Sequence, residues 1–236
     1  MAPGRVIAHR GASLFEPDNS VAAYEGAIAA GADAIELDVR TAADGALVCV
    51  HDRAVGGTPV GALTRAELSE RLRHPVPTLP EVLERCAGRI ALDVELKERD
   101  VEPALALLRA ARPDGLVVTS FHDAVVAQAR RALPAARCGL LVGTDRPVPP
   151  IRTRLSELWP LRRARACDAQ LVAVHVRLAA LGAVGRVAAA GLEAYVWTVD
   201  DAPGLRRWLA DEHVAGVITD DPRRARAIAA ALSAAG

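Results

Sequence analysis

The chain has 236 residues, 51% hydrophobic and 25% charged, the balance of a soluble globular protein long enough for one sizeable core. Lys plus Arg and Asp plus Glu count 29 each, so the formal net charge is zero and nothing favours non-specific nucleic-acid or membrane binding. No uninterrupted apolar run approaches the ~18–20 residues of a bilayer span, so stable membrane insertion is not expected.

The N-terminus reads Met-Ala-Pro-Gly-Arg and passes straight into an apolar stretch ending at His9, which is not a charged-then-apolar signal peptide. Cys49, Cys86, Cys138 and Cys167 are far apart and form no CxxC pair. They read as buried reduced thiols of a cytoplasmic protein. Lys97 is the only lysine in a chain that otherwise uses Arg. A compact ammonium at one position suggests a local requirement that a guanidinium does not meet.

In chain order, short β-rich segments are predicted at 5–8, 34–39, 90–96, 116–119, 138–142, 171–174, 194–197 and 214–219. Helical periodicity lies between them, at 103–112, 123–133, 179–190 and 203–210 among others. Gly31, Gly115 and Gly191 fall just before strands, where a helix C-terminus favours glycine. Eight βα units in this length predict a closed (β/α)8 TIM barrel, with a doubly wound open sheet as the competitor. The spacing after strand 2 is about twice the others. Residues 40–89 there hold Asp44-Gly45, an apolar run at 47–50 and His51-Asp52, which read as a small hairpin insertion on a βα loop. No linker or second domain is visible, so residues 1–236 read as one domain.

The chemistry gathers at predicted strand ends. Glu36 and Asp38 are two residues apart and share a strand face, with Ile35, Leu37 and Val39 on the other. Asp93, Glu95 and Lys97 repeat this on the next barrel strand. Carboxylates on the closed inner face of a barrel must be paired or must bind a cation. One Lys cannot balance so many acids, and an all-oxygen donor set suits one hard divalent cation, Mg²⁺ or Ca²⁺, over zinc. His9-Arg10-Gly11 follows the first strand, and Arg10 offers a phosphate a bidentate fork. His51 ends the insertion's hairpin. Two histidines, two cations and a metal suit phosphoryl transfer with general acid and base groups. His74, His122, His175 and His213 are left as structural or solvated.

These residues stand in longer motifs. Residues 9–13 (His-Arg-Gly-Ala-Ser), 17–20 (Pro-Asp-Asn-Ser) and 31–39 are similar to the opening signature of the glycerophosphodiester phosphodiesterase family. So are Thr41…Asp44-Gly45…His51-Asp52, residues 77–83 and Val94-Glu95-Leu96-Lys97, then Trp197-Thr198-Val199 and residues 218–222. The motifs run in order from residue 7 to about residue 225. The resemblance implies metal ligands at Glu36, Asp38 and Glu95, and a general acid/base pair at His9 and His51. It implies phosphate-binding cations at Arg10 and Lys97, and apolar walls against the glycerol at Phe121 and Trp197. It implies a metal-dependent phosphodiesterase that hydrolyses small-molecule glycerophosphodiesters to glycerol 3-phosphate and an alcohol.

The chain departs from the family where Asp18 stands for the usual Glu, and where Asp93 and Asp200 stand for Asn. The loop after His51 lacks the Arg-Thr-Thr-containing segment of many relatives, which leaves the leaving-group preference open. So do water versus the substrate's 2-hydroxyl as nucleophile, and which histidine is the acid. Asp18 and Asn19 read either as a support for the mouth of strand 1 or as a helix-capping cluster. Arg152, Arg154, Arg162, Arg163 and Arg165 read as a solvated surface, with guidance of an anionic substrate as the alternative. A lipid-cleaving barrel is the nearest rival, disfavoured by the lack of an amphipathic or aromatic surface stretch. A phosphate-ligand binding barrel without catalysis is disfavoured by the two histidines. Nothing in the sequence bears on oligomeric state.

Overall fold

The structure is a computed structural model that describes residues 3–143, 157 and 159–235. Its strands are β1 (Arg5–His9), β2 (Ala34–Thr41), β3 (Leu47–Cys49), β4 (Ala54–Val55), β5 (Thr58–Pro59), β6 (Ala91–Leu96), β7 (Val117–Ser120), β8 (Arg137–Val142), β9 (Leu171–His175), β10 (Glu193–Trp197) and β11 (Gly216–Thr219). Eight of them are parallel, in the order β1-β2-β6-β7-β8-β9-β10-β11, and β11 pairs back onto β1. The sheet is therefore a closed barrel and not the open competitor. Its strands are covered on both faces, which is why they read as near-continuous apolar runs.

Alternation along the strands divides the core in two. Ile7, Val117, Leu141, Leu171, Tyr195 and Ile218 fill the barrel interior. Val6, Ile35, Leu92, Val118, Leu140 and Val172 face outward and join helical residues such as Leu105, Val125 and Leu205. The inner packing is displaced at the C-terminal end of β2 and β6, where acids replace apolar residues.

The insertion is larger than a hairpin. β3 folds back antiparallel on β2, and β4 and β5 form a second short ribbon. A helix follows at Arg65–Leu72, capped by Thr64 and Glu67 in a reciprocal pair. Val48, Val50, Val55, Leu63, Leu68 and Val76 give this segment a small core of its own. The predicted helix at 179–190 forms only over Ala183–Ala189, and a separate short helix, Val176–Ala179, precedes it. Gly182 separates them with φ 80°, a left-handed conformation that breaks the periodic pattern. No helix among the described residues is long and apolar enough to cross a membrane.

Candidate active site

The C-terminal ends of β1, β2 and β6 carry the acidic cluster. In register, Glu36 lies opposite Asp93 and Asp38 opposite Glu95 on the paired strands β2 and β6. One carboxylate oxygen from each of Glu36, Asp38 and Glu95 falls within 4.8 Å of the others. All three residues are buried. Lys97, one residue beyond β6, sets its ammonium 2.7 Å from Glu95 Oε1 and 3.0 Å from Asp38 Oδ1. The second contact is ionic without hydrogen-bond alignment, so Asp38 Oδ1 is buried with no hydrogen-bond partner.

The titration behaviour follows from this crowding. Burial pushes the Glu36 carboxyl well above its ordinary value, and Asp38 and Glu95 add to the rise. Burial pushes Glu95 up to about 7 against the pull of Lys97. Asp38 goes the other way: burial opposes ionisation, but Lys97 and Arg10 hold its carboxyl below the ordinary range. Two cations do not neutralise three convergent acids. A hard divalent cation fits this donor set, because it takes oxygen ligands and offers the orphaned Asp38 oxygen a partner.

Asn19 orients Asp38 from behind. Its amide donates to Asp38 Oδ2 at 2.8 Å, and its carbonyl oxygen accepts from Asp38 N and from the Tyr24 hydroxyl. Ser20, not Asp18 or Asn19, caps the helix Val21–Ala29. Asp18 instead accepts from Arg10 Nη1 at 3.0 Å, so the pair supports the mouth of the first strand. Arg10 has a left-handed backbone with its N–H on Glu36 Oε2, and its Nε lies 3.3 Å from Asp38 Oδ2. Gly11 makes that turn possible: a Cβ there would lie 2.5 Å from the backbone of Ala23.

The two histidines flank the acids. His9, the last residue of β1, places Nε2 4.0 Å from Glu36 Oε2 and Nδ1 2.6 Å from Asp220 Oδ1. His51 sets Nδ1 2.9 Å from Asp52 Oδ1, and its backbone carbonyl accepts from Arg40 Nε and Nη2. Burial lowers the His51 pKa, with Lys97 and Arg10 assisting and Asp38 opposing. Both rings line one cavity of about 850 Å³, together with Arg10, Glu36, Glu95 and Lys97. Its other side is apolar, built from Phe121, Leu141, His175, Trp197 and Ile218. Phe121 and His175 both meet Trp197 edge to face, with ring centroids 5.8 and 4.9 Å away. The Trp197 indole N–H donates to Ala173 O.

The structure thus brings His9, Arg10, Glu36, His51, Glu95, Lys97, Phe121 and Trp197 to one cavity, with Asp38 directly behind it. It adds His175, Arg40 and Asp220, which sequence reasoning gave no role. Asp220 stood inside a recognised motif, but its partner is 211 residues away. Of the arginine run, residues 152 and 154 lie outside the described residues. Arg162 and Arg165 are exposed. Arg163 is half-buried and forked onto Asp123, with a further hydrogen bond to Phe121 O at 2.9 Å, so it braces the loop that carries the aromatic wall.

Residues 9–224 match the model of the glycerophosphoryl diester phosphodiesterase family. The chain belongs to that family. With the family comes the enzyme class, phosphoric diester hydrolase. A glycerophosphodiester phosphodiesterase of Caldanaerobacter subterraneus is 28% identical over 242 residues, 92% of this chain and 94% of that protein. A Mycobacterium tuberculosis protein designated "Probable glycerophosphodiester phosphodiesterase 1" is 50% identical over 70 residues; that match spans only 26% of its length. The crystal structure of a glycerophosphodiester phosphodiesterase from Agrobacterium tumefaciens superposes with a TM-score of 0.74 at 26% identity, covering 95% of this chain and 99% of that one. An Oleispira antarctica phosphodiesterase, solved with the product sn-glycerol-3-phosphate, superposes with a TM-score of 0.79 at 23% identity, covering 96% of each chain.

Proposed function

We propose that the protein is a metal-dependent hydrolase of small glycerophosphodiesters that releases glycerol 3-phosphate and an alcohol. The observation that carries this reading is the convergence of Glu36, Asp38 and Glu95 between two histidines and two cations in one cavity. Glu36, Asp38 and Glu95 would hold one divalent cation, Mg²⁺ or Ca²⁺, whose chemistry when bound is to neutralise charge on a non-bridging phosphate oxygen. Arg10 and Lys97 bind the remaining phosphate charge and fix the phosphorus for attack. One histidine takes the proton of the attacking hydroxyl as the new P–O bond forms. The other gives a proton to the leaving oxygen as the old P–O bond breaks. Phe121 and Trp197 pack against the glycerol carbons. The product bound by the Oleispira antarctica structure supports glycerol 3-phosphate as the retained half.

The insertion belongs to the same domain in this reading, because it delivers His51 to the mouth. The four cysteines are buried and unpaired, which suits a reducing cytoplasm. One observation favours a second reading, a lipid diester whose glycerol carries an acyl chain. Leu14 and Phe15 are exposed in the segment between β1 and the helix Val21–Ala29, and Trp159 and Leu181 are exposed as well. Phosphomonoester release from a panel of glycerophosphodiesters and lysophospholipids, with and without chelator, tests both readings: glycerol 3-phosphate is the product in the first, its acylated form in the second. Release from the water-soluble diesters alone upholds the first; release from neither overturns the hydrolase.

A further inference from the structure

We infer that Asp220 is the positioning residue of His9: it fixes the imidazole tautomer with the proton on Nδ1, so that Nε2 is the nitrogen presented to the reacting atoms. The inference rests on the reading of His9 as an acid/base group. Its ground is geometric. Asp220 Oδ1 lies 2.6 Å from His9 Nδ1, a length typical of a charge-assisted hydrogen bond. Nε2, at the other edge of the ring, lies on the Glu36 side.

Asp220 is itself held. Its backbone N–H donates to Asp200 Oδ1 at 2.8 Å, and its carbonyl accepts from Leu14 N at 3.1 Å. The Ser13 hydroxyl, 2.9 Å from Asp220 Oδ1, reaches the oxygen that faces His9. The same hydroxyl lies 2.8 Å from His9 O. Asp200 also accepts from the Thr219 hydroxyl at 3.1 Å. A carboxylate anchored through its main chain on two sides cannot follow a rotating ring; the ring must follow it. Burial alone would raise the Asp220 carboxyl. The hydrogen bond and charge of His9, with the Ser13 hydroxyl, bring it below the ordinary value instead. An ionised carboxylate only accepts hydrogen bonds, so Nδ1 is the donor.

The consequence is the same whichever way the proton moves. As a base, neutral His9 carries its lone pair on Nε2. As an acid, it releases the Nε2 proton, and Asp220 retains the one on Nδ1. His51 has a different partner: Asp52 is adjacent in sequence and its side chain is 76% exposed, so it orients the ring less firmly.

The test is ¹⁵N NMR of the imidazole nitrogens in the full-length protein, with the His9 signals assigned by their loss in His9→Gln. Titrated to its neutral form, His9 should show a protonated Nδ1 and an unprotonated Nε2. In Asp220→Ala the tautomer should shift towards protonated Nε2. In parallel, kcat should fall by about 10²-fold while KM changes less than about 3-fold, since the loss falls on the chemical step. Asp220→Asn supplies the kinetic comparison if the alanine variant does not fold, and the wild-type spectrum decides the tautomer alone. Protonated Nε2 in the neutral wild type overturns the inference, as does wild-type kcat in a folded Asp220→Ala. A protein that hydrolyses no glycerophosphodiester fails the functional reading, but its spectrum still reports the tautomer.

Discussion

At the mouth of the barrel, Glu36, Asp38 and Glu95 crowd around two cations, Arg10 and Lys97. At the opposite end the proportion is reversed: Arg5 and Arg137 share one acid, Glu193, at 3.1 and 2.9 Å. The lower cluster is half-exposed, and water screens its surplus charge. The upper cluster is buried, holds an orphaned carboxylate oxygen and keeps two acids reluctant to ionise. Asp93 lies between them. Its Oδ1 accepts from the Thr119 hydroxyl on β7, and its Oδ2 has no hydrogen-bond partner. The lower arrangement is complete as folded. The upper one is arranged for a ligand, which is how a site differs from a structural ion pair.

Replacing the flanking histidines should separate the two ends most strongly. His9→Ala and His51→Ala should each lower kcat by ~10²–10⁴-fold with the fold retained, whereas His74→Ala, half-buried and outside the cavity lining, should leave it unchanged. Steady-state kinetics and circular dichroism on the three variants make the check. Equal damage from His74→Ala would erase the distinction between mouth and surface.

Lys97→Arg should be smaller but still far from conservative. The ammonium sits between Glu95 and Asp38 with its side chain only 9% exposed. A planar guanidinium needs more width and other hydrogen-bond directions. The expected loss is ~10-fold or more in kcat/KM, about 1.4 kcal/mol of transition-state binding. Near-native kinetics would make the single lysine an accident of composition.

Asp93→Asn should act on stability and its pH dependence in chelator-treated protein. Burial pushes this carboxyl up to about 7, against an ordinary value of ~4 in the unfolded chain. The native state therefore holds the proton more tightly. Stability from this group is fully present below about pH 4 and is lost as pH rises towards 7. Asparagine removes that decline, so at pH 8 the variant should be more stable by on the order of 2 kcal/mol, and near pH 4 the gain should vanish. Denaturant melts at the two pH values decide it. Glu193→Gln, at the screened end, should cost only about 0.5–1 kcal/mol and leave kcat unchanged.

Much of this was legible in the sequence for identifiable reasons. Parallel strands covered on both sides announce themselves as apolar runs, so all eight barrel strands are found within a few residues of the expected positions. Period two put Glu36 with Asp38 and Glu95 with Lys97, and βα topology put both sets at one mouth. What stayed hidden was long-range or local in a misleading way. Asp220 reaches His9 only because β11 closes on β1. Arg163 belongs to a run that reads as solvated, yet its guanidinium turns inward to Asp123 and Phe121 O. His175 ends β9 without a motif and lines the cavity against Trp197. The break at Gly182 sits inside a segment, 179–190, rich in Ala and Val that reads as one helix.

The most direct test of the claim that the upper cluster is a metal site is glycerol 3-phosphate release by enzyme stripped with chelator, before and after Mg²⁺ or Ca²⁺ is returned. Glu36, Asp38 and Glu95 supply only oxygen donors, and the cysteines are buried elsewhere, so the cation alone should restore turnover and reducing agent should not. Turnover absent from the stripped protein and regained with either ion is the result expected. Full turnover in the stripped protein would contradict it.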